Sequence, residues 1–220
     1  YAILTGLNEQ HLERFGSLEN EILGESESVE YVLSRGGQVV LNFGNPNISQ
    51  KYLSNLSNPQ ILTYGQKEYS HPREQNIEGA MTLARFLGIQ KLPKLLKNPI
   101  HRLSLIQRGD LTIIDDAYSS NTDGFAAAVK YLKSFPDWKV IVTPGIPELG
   151  SATYEIHKKL GELLNDIDQV ILVGENERTR GLADGFGKPV EYIDKVTEAI
   201  QKIKVSKSVV LFENDLPDNY

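Results

Sequence analysis

The chain of 220 residues is 40% hydrophobic and 24% charged, carries a formal net charge of -6 and contains no cysteine. This is the balance of an ordinary globular protein of one or two domains. It excludes a disulfide framework and thiolate metal sites, argues against a nucleic-acid binder, which would show a basic face, and leaves no apolar run long enough for a membrane-spanning helix.

The first predicted strand is 2–5. It runs into Asn8, Glu9, Gln10 and His11, then a Phe-Gly turn and an acidic helix over about 17–34. Histidine nitrogen and carboxylate oxygen are metal ligands, so His11 and one inward-facing glutamate of this helix are metal candidates. Glu25 and Glu27, two apart, do not share a helix face, and a solvated acidic helix explains the same composition. Strands follow at 38–43 and 60–65, with helices at about 48–55 and 75–88. The segment "KLPKLLKNP" (91–99), with its prolines and lysines, reads as a linker and divides the chain into 1–97 and 98–220.

After the linker the alternation becomes regular. Strands are predicted at 111–115, 139–144, 169–174, 189–193 and 208–213, and helices at about 122–134, 151–164, 176–185 and 194–204. This pattern predicts an α/β protein: a doubly wound, mainly parallel, Rossmann-like sheet in the C-terminal part, preceded by a shorter and incomplete α/β part. In such sheets ligands bind at the carboxyl ends of the strands, beside helix N-termini. "DDAYSSNTDG" (115–124) occupies that position. Asp116 is suited to a ribose diol, and Ser119, Ser120 and Asn121 to a base or phosphate, although the serines and asparagine also suit helix capping. "TPGIPELG" (143–150) is a second such loop, aiming Glu148 into the same cleft. His157 in the following helix reads as a packed or surface residue.

"TGLNEQHLERFGSLEN" (5–20), "NIEGAMTLARFLGI" (76–89), "HRLSLIQRG" (101–109), "DDAYSSNTD" (115–123) and "ELGSATYEIH" (148–157) together resemble the Mur ligase superfamily, and most its D-alanyl-D-alanine-adding branch. The likeness covers nearly the whole chain in the right order. It implies an ATP-dependent amide ligase of peptidoglycan synthesis, in which the substrate carboxylate becomes an acyl phosphate that an incoming amine attacks. Implied partners are a UDP-linked muramoyl peptide, an amino acid or a dipeptide such as D-Ala-D-Ala, and the missing N-terminal part of the same enzyme. Implied cofactors are ATP and Mg²⁺, and the implied location is the cytoplasm. Neither nucleic acid nor membrane is an expected partner.

Carried over by motif, His11 stands near a Mg²⁺. Arg102, Asp116, Asn121 and Ser119 bind nucleotide, with Asp116 on its ribose at a domain interface. Glu148 and Gly150 face the amino component. The first 97 residues correspond to part of the family's central domain.

The sequence also departs from the family. Its phosphate loop, glycine-rich and ending in Gly-Lys-Ser/Thr, does not occur, so this chain is expected to be a C-terminal fragment that binds Mg-ADP weakly if at all. The family also has several dozen more residues where "YGQKEYSHPREQN" (64–76) stands, which suggests residues missing near Glu68 and Tyr69. The family's "Tyr-Asn-x-Asn-Pro" is "YSSNT" here. A lysine that becomes carbamylated in the family corresponds to Glu25, a built-in carboxylate that is therefore a catalytic and metal candidate beside His11. Two alternatives stand: a non-catalytic α/β binding or interaction module derived from the family, and a related ligase acting on a folate or poly-amino acid.

Overall fold

The computed structural model describes residues 1–69, 71–89, 101–118 and 120–214; the predicted linker at 91–99 and the candidate Ser119 lie outside them. The chain forms two compact units, Tyr1–Leu96 and Lys97–Tyr220. Among the described residues, no helix is long and apolar enough to cross a membrane.

The first unit runs β1 (Ala2–Leu4), α1 (Leu12–Phe15), α2 (Leu18–Ser34), β2 (Val39–Asn42), α3 (Pro46–Tyr52), β3 (Ile61–Tyr64) and α4 (Pro72–Phe86). Its three strands pair in parallel in the order β1-β2-β3. All four residues of β2, the central strand, are buried, as expected for a strand covered on both faces. Its core gathers Leu4, Val29, Leu41, Ile48 and Tyr52 from four elements. Ser17 starts α2 by accepting the Asn20 N–H. Helix α3 begins two residues before its predicted start, because Asn45 caps it by accepting the Ile48 N–H and Pro46 presets the first helical φ. The Phe-Gly turn closes the unpredicted one-turn α1, with Gly16 in the left-handed region at φ 77°.

The second unit runs β4 (Ser104–Arg108), β5 (Leu111–Asp116), α5 (Thr122–Lys133), β6 (Trp138–Thr143), α6 (Thr153–Glu162), β7 (Gln169–Val173), α7 (Glu177–Phe186), β8 (Glu191–Ile193), α8 (Ala199–Lys202) and β9 (Ser208–Glu213). The sheet order is β4-β5-β9-β6-β7-β8, and only β4 is antiparallel to its neighbour. The β5–α5–β6 and β8–α8–β9 connections cross the sheet in opposite directions. Right-handed crossovers then place their helices on opposite faces, the doubly wound arrangement.

Strand β4 is absent from the sequence prediction. It is an edge strand with little buried surface, so it lacks the apolar alternation that marks a half-buried strand. The two-residue Gly109-Asp110 turn that folds it onto β5 is its legible signal. The helix expected over 194–204 is instead a 3-10 turn at Val196–Glu198 followed by the four-residue α8.

Helix α5 buries Phe125, Ala128, Val129 and Leu132, a 3–4 spacing that places one face on the sheet. Helices α6 and α7 touch backbone to backbone. A Cβ on Gly185 would fall 1.9 Å from the Lys158 carbonyl oxygen, and one on Gly161 would fall 2.3 Å from that of Leu182. Only glycine permits this approach. It fixes α6, and with it His157, under the loop that follows β6.

Candidate functional site

The described residues hold five non-glycine residues with positive φ: His11, His101, Leu103, Glu148 and Asn214. His11 follows β1, Glu148 follows β6 and Asn214 follows β9. His101 and Leu103 precede the antiparallel β4, whose start lies beside Asp115 at the end of β5. Each costs backbone energy, and all five gather at the carboxyl edges of the two sheets, where open α/β sheets bind ligands.

In the second unit, β5 delivers Asp115 and Asp116 to this edge. The Leu103 N–H donates to Asp116 Oδ1 at 3.1 Å. Burial raises the Asp116 carboxyl to about 6, against the opposing pull of that hydrogen bond and of Arg102. Asp115 points to His101, whose Nδ1 lies 2.8 Å from Oδ2. The Arg102 guanidinium carbon sits 4.5 Å from the centre of the Tyr118 ring, a cation–π stack at an exposed position. Asn121 caps α5 by accepting the Gly124 N–H at 2.8 Å. The capping function weighed for this loop is thus present at Asn121.

The next polar groups were not singled out from sequence. Glu213 ends β9 and Asn214 follows it; both are fully buried. The Thr143 hydroxyl at the end of β6 donates to Glu213 Oε2 at 2.9 Å. Among the described residues, Glu213 Oε1 has no hydrogen-bond partner. Burial pushes this carboxyl up to about 8, with nearby Asp116 adding to the rise and Thr143 and Ser120 opposing it. The legible signal was "FEN": charged and amide side chains directly after an apolar strand. Glu148 is half-buried and Gly150 exposed, both in the loop after β6. Arg102, Asp116, Asn121, Glu148 and Gly150 therefore share one sheet edge. His157 is a packed residue: its Nε2 accepts the Ile146 N–H at 2.8 Å, its Nδ1 faces the Thr153 carbonyl at 2.6 Å, and burial lowers its pKa to about 4.

In the first unit, His11 follows β1 in a left-handed conformation with its Nε2 3.0 Å from Gln10 Nε2. Glu25 lies exposed on α2. The buried carboxylate of that helix is Glu21, which sequence reading passed over. Both of its oxygens accept the Gln10 N–H, at 3.0 and 3.1 Å. Burial raises its pKa; the Gln10 hydrogen bond and His11 oppose that rise, and Glu25 adds to it. His11 and Glu25 thus lie within electrostatic reach of Glu21. Among the described residues, however, no three histidine, aspartate or glutamate side chains are placed to hold a metal ion. The described chain alone does not fit a complete Mg²⁺ site.

Residues 101–212 match the family described as "Mur ligase, glutamate ligase domain". The chain is 28% identical over 147 residues to the UDP-N-acetylmuramoyl-tripeptide--D-alanyl-D-alanine ligase of Buchnera aphidicola, covering 62% of this chain and 32% of that protein. Its fold is similar to MurF from Acinetobacter baumannii, with a TM-score of 0.76 at 20% identity, over 97% of this chain and 56% of the other. It is equally similar in fold to MurF from Thermotoga maritima, crystallised with ADP: TM-score 0.76 at 19% identity, over 97% and 58% of the two chains. This chain thus spans well under two thirds of each of these relatives.

Proposed function

The chain belongs to the Mur ligase family, and from that premise we propose that it is the C-terminal part of an ATP-dependent amide ligase of peptidoglycan precursor synthesis. Its substrates are a UDP-linked muramoyl tripeptide and D-alanyl-D-alanine, the pair that the matched ligases are named for. ATP, when bound, would supply the phosphoryl group that activates the acceptor carboxylate as an acyl phosphate; the incoming amine would attack the acyl carbon, and inorganic phosphate would leave as the amide forms. The chain's own residues bind and orient. Arg102, held over Tyr118, presents a permanent cation to the nucleotide phosphates. Asp116 accepts hydrogen bonds from the ribose hydroxyls. Asn121 binds nucleotide in the same loop, Ser119, outside the described residues, keeps that role from the motif alone, and Glu148 and Gly150 face the amino component.

No step is assigned to Mg²⁺. His11 and Glu25 supply at most two ligands, and the others would come from outside the described residues. Exposed Glu25 suits the carbamate-replacing role only with such help. This chemistry belongs in the cytoplasm, where ATP is abundant.

One observation supports the reading above the rest: a half-buried acid, Asp116, at the carboxyl edge of a parallel sheet, beside an arginine stacked on an exposed tyrosine. Reading the coding sequence upstream of Tyr1 tests it, with a strand followed by a glycine-rich loop ending in Gly-Lys-Ser or Gly-Lys-Thr as the expected result. The protein so encoded should release ADP only when both the muramoyl tripeptide and the dipeptide are present. Absence of that loop, or turnover with a folate acceptor instead, would overturn the assignment.

A further inference from the structure

β9 is the last strand among the described residues, yet it sits between β5 and β6 in the sheet. Its final residues therefore stand between the loop after β5, which carries Asp116 and Asn121, and the loop after β6, which carries Glu148. Along the chain these two loops are joined only through α5 and β6. Asn214 joins them directly. Its Oδ1 accepts the Ser120 N–H at 2.8 Å, and its Nδ2 donates to the Gly145 carbonyl at 2.7 Å. Its backbone N–H donates to the Asp116 carbonyl at 3.1 Å. These partners leave only one orientation for the amide, since the Ser120 N–H requires an acceptor and the Gly145 carbonyl requires a donor.

The far side of the Gly145 turn is equally held. The Gly145 N–H donates to Thr143 Oγ1 at 3.0 Å, and the Ile146 N–H to His157 Nε2 at 2.8 Å. A Cβ on Gly145 would fall 2.7 Å from His157 Nε2 and 2.9 Å from Arg178 Cβ. This turn therefore has no slack, and whatever is tied to it is fixed in place. Asn214 makes its ties from a left-handed backbone, φ 58°, while fully buried. Glycine would adopt that φ without strain, so what asparagine adds here is its side chain.

We propose that Asn214 is a positioning residue that locks the β5–α5 loop to the β6–α6 loop, so that the two present their ligand-facing groups as one rigid unit. The inference rests on the reading above that both loops meet ligands, one the nucleotide and the other the amino component. Preorganising them removes the ordering cost that two independent loops would each bring to binding.

NMR on the 220-residue chain tests the clamp. Asn214→Gly keeps the left-handed backbone and removes both side-chain ties. Amide exchange should quicken at least roughly tenfold at Ser120, whose N–H loses its acceptor, and the Gly145 carbonyl carbon should shift as it loses its donor, while Val140, Ile171 and Val210 in the sheet stay protected. In the unsubstituted chain the Asn214 side-chain N–H protons, bonded to the Gly145 carbonyl, should exchange at least roughly tenfold more slowly than those of exposed Asn55, a readout that does not depend on the variant folding. Unchanged exchange at Ser120 in the variant, unprotected Asn214 side-chain protons in the unsubstituted chain, or equal acceleration across the sheet would overturn the clamp.

Titration with millimolar adenosine 5′-diphosphate supplies the functional arm. In the unsubstituted chain, resonance shifts at Asp116 and Asn121 should extend to Gly145 and Ile146; in Asn214→Gly they should stop at the first loop. Shifts that never reach Gly145 in the unsubstituted chain would also overturn the clamp. If no resonance moves at all, as the absent phosphate loop also allows, the exchange data alone judge the clamp.

Discussion

The carboxyl edges of the two sheets solve the same problem with different chemistry. In the first unit, neutral amides make most of the loop ties described, beside the Glu21 carboxylate that holds the Gln10 N–H. Asn42 donates to the Thr5 carbonyl at 2.7 Å and accepts from the Gly44 N–H and the Gln75 amide at 3.1 and 3.2 Å. Asn45 and Asn47 make further ties to Asn8 and Leu7, at 2.6 and 2.7 Å. In the second unit the edge carries Asp115, Asp116 and Glu213, with His157 beneath the next loop. A buried amide offers a donor and an acceptor with no ionisation penalty, whereas a buried carboxyl opposes its own charge. Amides are therefore what loop anchoring alone requires, at Asn42 in the first unit and at Asn214 in the second. An acidic edge, held at a cost, points to a ligand.

The comparison breaks first at Asn42. Asn42→Ala strands the Thr5 carbonyl and the Gly44 N–H at a site only 3% exposed. We expect a loss of about 3 kcal/mol in urea unfolding, with little change between pH 5 and 9. A strongly pH-dependent loss would contradict the neutral character of this edge.

Glu213→Gln sharpens the other side. The Glu213 carboxyl is raised from 4.5 to about 8, so its stabilising contribution is full below pH 4.5 and fades as pH rises to about 8. His157 acts oppositely: lowered from 6.5 to about 4, it stabilises fully above pH 6.5 and less as pH falls toward 4. The interval from pH 6.5 to 8 isolates Glu213. There the unsubstituted chain should lose melting temperature with rising pH, and Glu213→Gln should stay flat and end more stable by more than about 1 kcal/mol. Parallel curves would mean that Glu213 does not ionise in that range.

A smaller effect is expected at Asp116, raised from 3.8 to about 6. Its contribution is full below pH 3.8 and fades as pH rises to about 6. Asp116→Asn keeps an acceptor for the Leu103 N–H and should remove that slope from thermal unfolding curves. It should also weaken the shifts that adenosine 5′-diphosphate induces at Arg102. Retention of those shifts would detach Asp116 from the nucleotide. The smallest change is Asn121→Ala, which removes the α5 cap and should cost about 1 kcal/mol in chemical unfolding, independently of pH.

Much of this was legible in the residues. Apolar runs such as "QVVLNF" and "SVVLFE" mark buried strands because burial on both faces leaves no room for polar alternation. Asp116 and Asn121 were legible as a strand end and a helix cap because both signals are local, within a few residues of each other. Glu21 was not: Glu19, Glu21, Glu25 and Glu27 look alike in sequence, and only the docking of α2 against the Gln10 loop buries one and leaves Glu25 exposed. β4 escaped because an exposed edge strand carries little apolar pattern.

By itself, then, the sequence determined the alternating elements, their caps and the family resemblance, since these follow from short-range periodicity and motif order. Tertiary structure alone decided that β9 is inserted between β5 and β6. That pairing joins residues far apart in the chain, and it brings Glu213 and Asn214 between two loops whose own sequences hold no sign of them. Strand order is set by which apolar faces and crossovers pack together, a non-local balance that no window of residues contains.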